Sequence, residues 1–104
     1  KFIEIGRENA SSDALQFAPD ETEPSLLDSE VFVTGENTKA TAITNFTDAE
    51  AGVVYTIYGN GSAFASTIAA GGNFVLTEAM TLSEGKFIKL AKAADGKFYE
   101  VARG

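Results

Sequence analysis

One seven-residue pattern occurs three times in this chain and limits what the chain can fold into. It reads Lys1-Phe2-Ile3-Glu4-Ile5-Gly6-Arg7, then Lys86-Phe87-Ile88-Lys89-Leu90-Ala91-Lys92, then Lys97-Phe98-Tyr99-Glu100-Val101-Ala102-Arg103. Apolar and polar positions alternate, so each copy has the period of a half-buried strand and not that of a helix. Ala93-Ala94-Asp95-Gly96 joins the last two copies and reads as a hairpin loop ending in Asp-Gly. The first copy stands at the other end of the chain. Either the N-terminal strand joins the C-terminal hairpin, or the chain is one unit of a tandem array. Both readings describe a building block.

A chain of 104 residues supports one domain with a modest core. It contains no Cys, His or Trp. Without His and Cys the usual zinc, copper and iron sites are excluded, leaving only oxygen-ligand metals. The commonest general base and the Ser-His and Cys-His pairs are missing too, so no enzyme is expected. Nothing in the sequence calls for a cofactor, and no apolar run is long enough to span a bilayer.

The net charge of −7 is unevenly spread. Acids outnumber bases heavily from Lys1 to Gly52, whereas Val53 to Gly104 is nearly balanced, and Glu8 to Thr38 has no base at all. Nucleic acid, which demands a basic face, is not an expected partner. An acidic segment and a basic end favour head-to-tail association between copies. The plainer alternative is an acidic, solubilising loop.

Residues 8–30 are rich in Ser, Asp, Glu and Pro. Pro19 and Pro24 forbid a continuous helix and argue against a central strand. So long an irregular segment reads as an arm that docks through Phe17 and the Leu26-Leu27 pair. Short strands follow at Val31–Thr34, at 38–46, at Val53–Tyr58, at 64–69 and at Phe74–Thr77, separated by Gly- and Asn-rich turns. In residues 38–46 the alternation sets Ala40, Ala42 and Phe46 on one face and Thr41, Ile43 and Asn45 on the other. The fold class is therefore all-β: a small antiparallel sandwich or open barrel of about seven or eight strands, with a long acidic irregular arm. The expected core is Ile3, Ile5, Ile43, Tyr55, Ile57, Leu76, Ile88, Leu90, Tyr99 and Val101. That phase sends Phe2, Phe87 and Phe98 to the opposite face, beside Glu4, Lys89 and Glu100. A Phe beside charges suits a subunit contact, or else a second small core beneath the acidic arm.

No chemical site survives inspection of the candidates. Gly59-Asn60-Gly61 lacks the third glycine and the following helix of a dinucleotide loop, and Asn-Gly marks a turn. Asp20-Glu21-Thr22-Glu23 offers oxygens to calcium but not the spacing of a calcium loop. Asn9-Ala10-Ser11, Asn45-Phe46-Thr47 and Asn60-Gly61-Ser62 fit the glycosylation triplet, which carries little information. Asp48 and Glu50 pair two carboxylates, but within a turn and without a cleft. Carbohydrate is not expected, since Tyr55, Tyr58 and Tyr99 are the only platforms left without Trp.

From Thr41 to Gly104 the pattern is familiar: Ile43-Thr44-Asn45-Phe46, Ala51 to Gly59, Thr67-Ile68, Gly72 to Leu76, Gly85 to Leu90 and Gly96 to Arg103. It resembles the small β modules of tailed-bacteriophage virion proteins, found in tail fibres, tail spikes and capsid-associated proteins. The resemblance implies a non-enzymatic structural role in the virion, with partners among copies of the chain or other virion proteins, and it brings no catalytic residue. Phe2, Phe87, Phe98, Phe17, Leu26 and Leu27 are the expected contacts. The alternative is an extracellular or cell-surface adhesion or filament subunit, in which the N-terminal strand of one unit completes the sheet of the next.

Overall fold

The structure, a computed structural model, describes residues 14–104. The described residues form nine strands and no helix: β1 Leu15–Gln16, β2 Val31–Val33, β3 Thr41–Ile43, β4 Val54–Tyr58, β5 Ser66–Ile68, β6 Phe74–Val75, β7 Met80–Leu82, β8 Phe87–Lys92 and β9 Phe98–Arg103. The all-β expectation holds. Six strands make one sheet in the order β1-β2-β4-β8-β9-β6, and the remaining three make a second in the order β3-β5-β7.

The sheets are mixed, where antiparallel ones were expected. β1–β2, β2–β4, β3–β5 and β6–β9 are parallel, while β4–β8, β8–β9 and β5–β7 are antiparallel. The cause is the path of the chain, which from β2 to β8 alternates between the two sheets. On its first two returns the chain re-enters each sheet in its original direction, so β2 and β4, and β3 and β5, run parallel with no helical crossover, whereas β7 comes back antiparallel to β5. Gly59 lies where the chain leaves β4 for the small sheet. A Cβ there would collide with the Leu82 and Ser83 carbonyls, so only glycine fits the crossing.

Both sheets feed one core. The large sheet gives Phe32, Tyr55, Ile57, Phe74, Ile88, Leu90 and Phe98, and the small sheet gives Ile43, Ile68, Met80 and Leu82. Phe46 joins the two ends of this core. Its ring lies 6.0 Å from Phe17, 5.7 Å from Phe74 and 5.5 Å from Phe98, and Phe17 in turn stacks on Phe32 at 5.2 Å. Such contacts contribute about 0.5–1.5 kcal/mol each beyond the area they bury. The expected faces of residues 38–46 hold for buried Thr41 and Ile43 and exposed Ala42, but Phe46 is buried. Strand β3 ends at Ile43, and the chain then bonds to the arm on either side of Phe46, through Thr44 to Thr22 and through Thr47 to Pro24 and Leu26.

The described part of the acidic arm docks on its own domain. Phe17 N–H donates to Val33 O at 2.9 Å, Thr44 N–H to Thr22 O at 2.8 Å, and Leu26 N–H to Thr47 O at 2.8 Å. Asp20, held at φ 63°, accepts from Thr38 N–H at 2.8 Å and Thr38 Oγ at 2.7 Å, while its own N–H donates to Asn37 Oδ1 at 2.8 Å. The two Thr38 bonds hold the Asp20 carboxyl below the ordinary carboxylate range, and all three bonds make Asp20 a loop anchor.

Three expected contact residues are thereby corrected. Phe17, Leu26 and Phe98 are buried in this domain's own core, at 8%, 2% and 0% exposure. Tyr99 and Val101, expected in the core, lie at the surface, and Leu76 is half-buried against the core. Ile43, Tyr55, Ile57, Ile88 and Leu90 are buried as expected. Phe2, Ile3 and Ile5 lie outside the described residues.

Candidate assembly surface

The surface of interest is set by one hairpin. Gly96 N–H donates to Ala93 O at 3.0 Å, Ala93 N–H donates to Lys97 O at 2.9 Å, and Gly96 takes φ 90°. This is a three-residue loop, Ala94-Asp95-Gly96, with glycine in the left-handed position that the loop requires. Asp95 Oδ1 accepts from Lys97 N–H at 2.8 Å and Asp95 Oδ2 from the Tyr99 hydroxyl at 2.6 Å. Those bonds lower the Asp95 carboxyl and raise the Tyr99 phenol from their ordinary values.

Loop length and the facing of β9 are coupled through the register. A four-residue loop would set Lys92 opposite Lys97 and bring Tyr99 and Val101 onto the core face with Leu90 and Ile88. The actual loop sets Lys92 opposite Phe98, Ala91 opposite Tyr99 and Leu90 opposite Glu100. Side chains alternate with period two, so the one-residue difference exchanges the faces of β9. Phe98 turns inward and Tyr99 outward. Between Glu100 and Ala102 the register shifts again through a bulge, which leaves Val101 57% exposed.

Behind the bulge, Glu100 and Arg103 form a clip on the inner side of β9. Arg103 Nε donates to Glu100 Oε2 at 2.8 Å and Arg103 Nη2 to Glu100 Oε1 at 2.9 Å. Thr77 N–H adds a 2.9 Å bond to Oε1, and Arg103 also donates to the carbonyls of Glu78 and Ala79. The guanidinium and the Thr77 bonds lower the Glu100 carboxyl to about 2. The clip ties residues 77–79 to the stretch of β9 that β6 leaves uncovered, since β6 pairs only with Phe98 and Tyr99.

The outward side of the large sheet carries three cross-strand rows. One runs Val54, Ala91, Tyr99, Val75; the next Val31, Thr56, Lys89, Ala102; the third Gln16, Val33, Tyr58, Phe87. The Tyr58 and Phe87 rings lie 5.6 Å apart. Val54, Tyr58, Val75 and Tyr99 are each about two-fifths exposed, at 41%, 42%, 43% and 38%. Lys89, in the middle row, is the only charged residue of the three, and among the described residues it has no ion-pair partner. An apolar sheet face of this extent, open on one side, is what a contact surface looks like.

At the β1–β2 edge of this sheet lies an open groove of about 650 Å³. Leu15 and Leu27, 41% and 57% exposed, line it together with Val31, Val53 and Tyr55, and Asp28, Glu30, Asp48 and Glu50 rim it. Asp48 accepts from Ser25 Oγ at 2.6 Å. No group of three or more acidic side chains among the described residues is arranged to hold a metal ion, and that covers Asp20, Glu21 and Glu23 as well as this rim.

Of the six expected contact residues, the surface keeps Phe87 on the outer face and Leu27 in the groove. Phe98, Phe17 and Leu26 belong to the core, and Phe2 lies outside the described residues. Sequence reasoning missed Val54, Tyr58, Val75, Tyr99 and Leu15. The first two were legible, because Val54 and Tyr58 alternate with buried Tyr55 and Ile57. Tyr99 was not, since its side depends on the loop. No family model, curated protein or solved structure matches the chain.

Proposed function

We propose that this chain is a non-enzymatic structural module of a virion, a capsid-associated or tail and fibre component, acting through protein–protein contacts made by the outer face of its six-stranded sheet. The observation that supports the reading is that face: three apolar rows across the strands, with Lys89 as their one charge. Burying the exposed two-fifths of such a Val or Tyr at a contact contributes roughly 1 kcal/mol, so several per copy, repeated by symmetry, hold an assembly.

Replacing Val54 and Tyr58 together by lysine tests the contact. The variant keeps its thermal transition, because neither side chain is in the core, and it no longer joins particles or copies in light scattering. A variant that assembles like the parent removes the face from the function. Immunogold labelling of purified virions then tests the location, with label on the particle expected.

The second reading, an extracellular filament or adhesion subunit built by strand addition, draws on one observation. Edge strand β6 is two residues long and pairs only with Phe98 and Tyr99 of the six-residue β9, so much of the β9 main chain on that side has no strand partner among the described residues. Deleting residues 1–7 distinguishes the readings. Strand addition predicts loss of polymer from a soluble, folded chain, whereas the face contact survives the deletion.

A further inference from the structure

We infer that the outer face of the six-stranded sheet docks onto the groove at the β1–β2 edge of a second copy, giving a head-to-tail contact steered by charge. The inference rests on the face being the functional contact and names its occupant.

The argument begins with Lys89. It stands in the middle of three apolar rows that contain no carboxylate. A twofold pairing that set the two Lys89 side chains against each other would bring like charges together with no carboxylate in the rows between them. An apolar partner that brings a carboxylate to Lys89 matches the face better.

The groove has that composition. Leu15 and Leu27 expose apolar surface in it, and Asp28, Glu30 and Glu50 rim it with carboxylates that have no hydrogen-bond or ion-pair partner among the described residues. On the face, Lys89 is likewise without an ion-pair partner among the described residues. The face and the groove, which adjoin at Val31, complement each other, and such a contact between unlike patches is heterologous, closing as a ring or running on as a filament. Charge complementarity at such a contact raises the association rate and makes it sensitive to salt.

Light scattering of the full chain at low and high salt, with charge-reversed variants, decides it. The parent chain should exceed its 10.9 kDa monomer mass at low salt and fall toward it as salt rises. Lys89→Glu alone, and Glu30→Lys with Glu50→Lys, should each dissociate at a concentration about tenfold or more higher. Mixing the two variants should restore assembly, because each then offers the other a complementary patch. Thermal melts should show both variants folded.

A parent chain that is monomeric at every salt concentration overturns the second copy as occupant. The proposed function then stands or falls on the virion labelling alone. Assembly lost by Lys89→Glu but kept by the groove variant overturns the head-to-tail arrangement and leaves the face as the contact. A mixture of parent and Lys89→Glu that associates more tightly than the parent indicates face-to-face pairing. A chain lacking residues 1–7 that assembles when the full chain does not gives the face to the chain's own N-terminal heptad, and this too overturns the proposal.

Discussion

Strands β8 and β9 carry the same seven-residue pattern and use it in opposite phase. In β8 the Phe of the pattern is on the outer face, where Phe87 meets Tyr58, and Ile88 and Leu90 fill the core. In β9 the Phe fills the core, where Phe98 meets Phe46 and Phe74, and Tyr99 takes the outer face. Two strands with one pattern were thus assigned their faces by something outside the pattern. The three-residue loop between them supplies the parity, and the core supplies the energy that makes the parity matter. The exchange also shapes the surface, since Tyr99 would not complete the row from Val54 to Val75 in the other phase.

The largest test of this asymmetry substitutes the two phenylalanines in turn. Phe98→Ala should cost about 3–5 kcal/mol in a denaturant titration, the range for a fully buried aromatic. Phe87→Ala should cost less than half of that, because its ring is only half-buried. Equal losses would mean that both strands present Phe to the interior.

A second experiment sets the loop against the core. An alanine inserted between Lys97 and Phe98 must either turn Phe98 outward or enlarge the loop. Burial of Phe98 exceeds the one or two hydrogen bonds of the loop, each worth about 0.5–1.5 kcal/mol, so the loop should yield. The variant should lose about 1–2 kcal/mol and keep its core. A loss as large as that of Phe98→Ala would show that the loop fixes the register outright.

The smallest effect is confined to acid and belongs to the clip behind the β9 bulge. Glu100 is held at about 2 in the fold against an ordinary 4.5. A lowered carboxyl contributes stability that is full above the unfolded value and is lost as pH falls from about 4.5 toward 2. The parent should therefore destabilise across that window more steeply than Glu100→Gln, as thermal midpoints from pH 7 to pH 2 would record. Identical slopes would assign the acid response to other carboxylates, such as Asp20 and Asp95, which are lowered by their own hydrogen bonds.

The acidic arm shows a second limit of reading from sequence. Its composition indicated an irregular segment, and Phe17 and Leu26 stood out as docking residues, but their destination is this domain's own core. A lone Phe among acids and prolines has no periodicity to say which surface receives it. The contact that receives Phe17 is built by Phe32 and Phe46, fifteen and twenty-nine residues further along the chain. In the candidate surface, Phe87 and Leu27 were legible as apolar residues facing away from the core, whereas Tyr99 and Leu15 became surface residues only through pairing.

By itself the sequence determined an all-β chain, the approximate places of its strands other than β1 and β7, and the inward set Ile43, Tyr55, Ile57, Ile88 and Leu90. Those strands carry their burial in local alternation, which the period of the extended chain makes readable. Only the tertiary structure decided the mixed pairing, the docking of the arm and the phase of β9. Alternation divides a strand into two faces, and where both faces carry large apolar side chains, the register set by a neighbouring strand selects the buried one.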